Sequence, residues 1–124
     1  MTKPAAKAPP EQVADYERLL ATLPELERKG AQLPYTSLNG NMFTLLGANG
    51  VMGLRLGAAD REAFLQAHGG QLYEAYGAVM KEYVAVPPPL LADTAAMAPW
   101  LAKSWAHAQT LLAKPTTRKQ GPVG

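Results

Sequence analysis

An α+β fold is predicted for this chain: an antiparallel β-meander sheet packed against an N-terminal helix, a short middle helix and a long C-terminal helix. Three observations carry that expectation. Apolar residues recur at helical spacing near both ends, two Asn-Gly pairs punctuate short apolar runs in between, and a β-prone run at 79–86 ends in three prolines.

The elements follow in order. From Glu11 onward Val13, Tyr16, Leu20 and Leu23 recur every three or four residues with Asp15, Glu17 and Arg18 between them, which is the pattern of an amphipathic helix, and Pro24 ends it. One more turn is expected before Gly30. Asn39-Gly40 and Asn49-Gly50 favour tight turns with positive φ, so strands are expected at 35–38, 42–46 and 51–56. Gly53 inside the third of these marks a bulge or a weak point of packing.

The next stretch, 58–68, opens with Asp60, Arg61 and Glu62, continues with Phe64 and Leu65 and stops at Gly69-Gly70, so it reads as a short helix. A strand is expected at 79–86, with a short one before it near 72–76. Pro87, Pro88 and Pro89 should then form an extended corner. Asp93 or Thr94 offers an N-cap for a last helix in which Met97, Leu101, Trp105, Ala108 and Leu112 share a face. Pro99 either kinks this helix or marks its true first turn.

A chain of 124 residues fits one domain, and an apolar fraction of 48% argues that it folds. The expected organisation is a basic N-terminal tail over 1–10, a single domain over 11–113 and a basic C-terminal tail over 114–124. The sequence pI of about 9.0 would suggest a nucleic-acid partner, but the charge is unevenly placed. Lys3, Lys7, Lys114, Arg118 and Lys119 lie in the two tails, which leaves seven basic against ten acidic residues between them, a net of −3. The folded body is therefore mildly acidic.

The chain has no cysteine, which removes disulfides, thiolate metal sites and cysteine nucleophiles. Lysines and prolines interrupt the first ten residues where a secretory leader needs an apolar run, and no stretch has the length of a membrane span. A cytoplasmic location without membrane association is the default expectation.

Asn39-Gly40-Asn41-Met42-Phe43 followed by Gly53-Leu54-Arg55-Leu56 resembles the meander of the N-terminal domain of the TfoX/Sxy family of bacterial competence regulators, among the YjbR-like small α+β proteins. Tyr83-Val84-Ala85-Val86-Pro87, Leu90-Leu91-Ala92-Asp93 and Ala98-Pro99-Trp100 resemble its later strand, Val-Pro corner and final helix. The resemblance spans roughly 11–112 and rests on packing and turn positions. It implies the fold above and, from some relatives, a regulatory role in the transcription of DNA-uptake genes.

The sequence carries none of the common catalytic patterns. The histidines, His68 and His107, lie far apart with no adjacent acid; Ser37 and Ser104 sit in neither a Gly-x-Ser-x-Gly nor a Ser-x-x-Lys pattern. The glycine-rich stretches lack the spacing and lysine of a phosphate loop. No cofactor and no metal site are expected.

The leading expectation is thus a non-enzymatic regulatory or protein-interaction module whose partner is another protein or a second copy. Its candidate surface comprises Arg28, Lys29, Tyr35, Arg55, Trp100 and Trp105. The two tryptophans stand about 140° apart around the last helix, so that one of them can face a partner. The alternative is a weak nucleic-acid binder using the basic tails and the Arg28/Lys29 region, with Tyr35, Phe43, Tyr73, Tyr76 and Tyr83 as stacking candidates. A third reading, a small-ligand domain, requires a cleft that collects Tyr35, Arg55 and His68.

Overall fold

The computed structural model describes residues 7–75 and 77–111. The order of elements is α1 (Pro10–Leu20), β1 (Tyr35–Leu38), β2 (Asn41–Leu46), β3 (Met52–Arg55), α2 (Ala58–His68), β4 (Leu72–Ala75), β5 (Ala78–Val86), α3 (Pro88–Leu91) and α4 (Thr94–Thr110). The predicted α+β architecture is present: one five-stranded antiparallel sheet with the N-terminal helix and the long C-terminal helix packed against it.

The strand order is β1-β2-β3-β5-β4. The first three strands form the expected meander. The chain then leaves the sheet through α2 and returns as a hairpin whose second strand, β5, pairs with β3, which puts β4 at the edge. At the first Asn-Gly pair both residues take positive φ, 54° at Asn39 and 82° at Gly40, the backbone that turns a two-residue hairpin in the same sense as the strand twist. At the second, only Gly50 does (82°), while Asn49 Oδ1 accepts the Val51 N–H at 3.0 Å.

The helices share one face of the sheet. Tyr16, Leu19, Leu46, Met52, Leu54, Phe64, Val84, Leu91, Met97 and Leu101 are all fully buried in a single core between helices and sheet. In α1 the buried residues are Tyr16, Leu19 and Leu20, with Val13 and Leu23 partly buried beside them. Ala8, before α1, is also buried and its N–H donates to the Gln32 carbonyl at 2.9 Å. The folded body therefore reaches further toward the N-terminus than position 11. The two tails and Leu112 otherwise lie outside the described residues.

The three prolines depart from the expected extended corner. Only Pro87 is extended (φ −71°, ψ 160°); Pro88 opens the four-residue α3. A proline in the first turn of a helix gives up no hydrogen bond, because the leading N–H groups have no partner in any case, and its fixed φ already suits the helix. Pro99 neither ends nor begins a helix: α4 runs through it from Thr94 to Thr110. Its missing N–H deprives the carbonyl four residues earlier of its helical donor, at a position, Ala95, that is exposed. Asp93 caps α4 as predicted, its carboxylate accepting the Ala96 N–H at 3.2 Å.

A bulge in β2 decides which residues face which way. Thr36 pairs with Thr44, but Ser37 pairs with Met42, so Phe43 is the extra residue. Phe43 and Thr44 consequently both belong to the helical side. Phe43 is fully buried with its ring 5.6 Å from that of Trp105, and Thr44 Oγ1 joins Tyr16 Oη (2.6 Å) and Thr36 Oγ1 (2.7 Å) in a buried chain of hydroxyls. Met42 and Leu45 are left on the opposite face.

Candidate functional site

That opposite face carries a groove of about 590 Å³. Its construction starts from one lateral row: Tyr35 on β1 is opposite Leu45 on β2, which is opposite Gly53 on β3. Adjacent strands lie about 4.8 Å apart, so the two ends of this row are about 10 Å apart with Leu45 between them. Gly53 leaves the far end without a side chain, and Tyr73 lies over it. A Cβ at Gly53 would stand 2.5 Å from Leu45 Cδ2 and 3.1 Å from Tyr73 Cγ, so glycine is required by close approach.

Tyr73 reaches that position because the β4–β5 hairpin is irregular. Leu72 pairs with Val84, yet the next residue, Tyr73, pairs with Met80, so 81–83 are passed over. Tyr73, Ala75 and Met80 thereby form one wall of the groove while Tyr35 with Leu33 and Pro34 forms the other. Residues 47–49 close one end, with the Tyr73 hydroxyl packed so close to Gly47 that a Cβ there would lie 2.6 Å from it. The lining is mostly apolar, with two tyrosines, two methionines and leucines, and Asn49 and Glu74 are its polar members.

At the other end of the sheet Arg55 is bound on several sides. Its Nε and Nη2 lie 2.8 and 2.7 Å from Glu82 Oε1, Nη1 donates to the Met42 carbonyl at 3.4 Å, and the guanidinium carbon is 5.8 Å from the Tyr83 ring centre. The hydrogen bond from Arg55 holds the Glu82 carboxyl below its ordinary range, reinforced by the charges of Arg55, Arg61 and His107. Tyr83 donates its hydroxyl to the same Met42 carbonyl at 2.7 Å, and burial pushes its ionisation up. This cluster ties the start of β2 and the end of β3 to the middle of β5.

The other sequence candidates are spread around the molecule. Arg28 pairs with Glu17 at 3.3 Å and Lys29 Nζ donates to Ser37 Oγ at 3.1 Å. Lys29 and Tyr35 also exchange backbone hydrogen bonds of 2.8 and 3.0 Å, which close the loop between α1 and β1. Trp100 packs edge-on to Phe64 with centroids 5.1 Å apart and lies 5.9 Å from His68, while Trp105 packs on Phe43. Both tryptophans are half-buried.

The structure thus brings Tyr35 to the groove, puts Arg55 in a separate ion-paired cluster and seats His68 against α4, so the cleft that would collect all three is not formed. Among the stacking candidates, Tyr35 and Tyr73 share the groove, Phe43 is buried in the core, Tyr83 lies beside Arg55, and Tyr76 is outside the described residues. Beside Tyr35 and Tyr73, which the sequence already grouped as stacking candidates, the groove brings in Met42, Leu45, Gly53 and Met80, which no sequence pattern assigned to a common site. One signal pointed to them: the glycine in a strand, whose usual meaning includes close approach of another group.

Among the described residues no helix is long and apolar enough to cross a membrane, and no three or more of His, Asp and Glu are grouped to hold a metal ion. Comparison of the chain with protein-family models, with curated proteins and with solved structures found no match.

Proposed function

We propose that this domain is a non-enzymatic interaction module that docks an apolar segment of a protein partner on the helix-free face of its sheet. The observation that carries the reading is the groove itself, where Tyr35, Met42, Leu45, Tyr73 and Met80 meet around a side-chain-free strand position. Its volume falls within the roughly 300–1,000 Å³ of ligand-sized sites. Tyrosines provide wide contact area at small entropic cost, and methionines adapt to irregular partners, so both suit a docking surface. A regulatory role of the kind implied by the resemblance to the TfoX/Sxy N-terminal domain fits such a module, since regulation by docking needs a surface and no chemistry.

The alternative of nucleic-acid binding has less support. Arg28 and Lys29 are engaged with Glu17 and Ser37, and the body between the tails carries a net −3. The distinguishing experiment is selection of displayed random peptides on the purified protein, followed by titration of the winners into ¹⁵N-labelled protein. Docking on the groove shifts the resonances of β1, β2 and the β4–β5 hairpin, and Met80→Gln, which keeps the length of the side chain and adds polarity, weakens binding by roughly tenfold or about 1.4 kcal/mol. Peptides that perturb only the helical face would overturn the reading. In parallel, anisotropy titrations with duplex and single-stranded DNA over a range of salt should give binding that disappears near physiological ionic strength.

A further inference from the structure

We draw no further inference here: the strongest candidate, the uncovered apolar groove between β1 and the β4–β5 hairpin, belongs to the site already described, and nothing in the structure shows what covers it.

Discussion

Replacing Tyr16 with phenylalanine removes one oxygen from the centre of the core and should change the dependence of stability on pH as well as stability itself. Tyr16 is fully buried and its hydroxyl lies 2.6 Å from Thr44 Oγ1, which keeps a second partner in Thr36 at 2.7 Å. Because Thr44 is not left without a hydrogen bond, the loss at neutral pH should be near that of one ordinary internal bond, about 1 kcal/mol. Burial is the main cause that pushes the Tyr16 phenol far above its usual range. The unfolded chain ionises this residue near pH 10 while the folded chain retains the proton, so the contribution is fully present below about pH 10 and is lost as pH rises. The loss amounts to about 1.4 kcal/mol at roughly pH 11, since each unit beyond the unfolded value costs about 1.36 kcal/mol. The remaining tyrosines are common to both proteins and cancel in the comparison. Urea unfolding followed by tryptophan fluorescence at about pH 8 and about pH 11 should therefore find the wild type ahead at the lower pH and level with the variant at the higher one. A stability gap that does not change over this range would refute the claim that the Tyr16 hydroxyl is held away from water.

Three further substitutions test other parts of the argument. Gly53→Val places a branched side chain where a Cβ alone would already stand 2.5 Å from Leu45 Cδ2 and 3.1 Å from the base of the Tyr73 ring. Leu45 can swing aside but Tyr73 must shift bodily, so a loss of about 1–3 kcal/mol by urea unfolding and altered hairpin resonances are expected. Arg55→Ala removes the partner of Glu82 and the cation over the Tyr83 ring, while the Met42 carbonyl keeps the Tyr83 hydroxyl, and should cost about 1 kcal/mol at neutral pH. The Glu82 carboxyl, lowered mainly by its hydrogen bond from Arg55, should rise toward its ordinary value in a carboxyl NMR titration. Its favourable effect is present above about pH 4.3 and lost in acid, so the gap between Arg55→Ala and wild type should narrow as pH falls below that value. Asp93→Ala removes the carboxylate that accepts the Ala96 N–H and should lower stability by about 1 kcal/mol, measured by thermal unfolding.

Elements with a strong local signal were legible in the sequence. The helix over 58–68 is bounded by residues that act locally, with Asp60 in its first turn and Gly69 in the left-handed conformation (φ 59°) after its last. The first meander was readable because its turns are written in Asn-Gly pairs, and the Asp93 cap because a carboxylate before a helix satisfies an N–H three residues on. The proline corner was not, since the same three residues suit an extended chain and the first turn of a helix, and the choice rests on whether Leu90 and Leu91 have a core to enter. Leu91 is fully buried, which favours the helix.

The groove is a tertiary product for a reason that can be placed at two irregularities. Strand alternation predicts that Met42 and Leu45, three apart, face opposite ways, and only the extra residue at Phe43 puts them on the same side. Likewise nothing local announces that β5 will pass over 81–83 and bring Tyr73 across Gly53. By itself the sequence determined the α+β class, the succession of elements apart from α3, and the mild acidity of residues 11–113, because periodicity, turn residues and charge are properties of neighbours in the chain. The order of strands, the register shift of the last hairpin and the placing of Tyr35 and Tyr73 on opposite walls of one groove were decided only when distant segments paired, since register and bulges are fixed by which faces can be buried together.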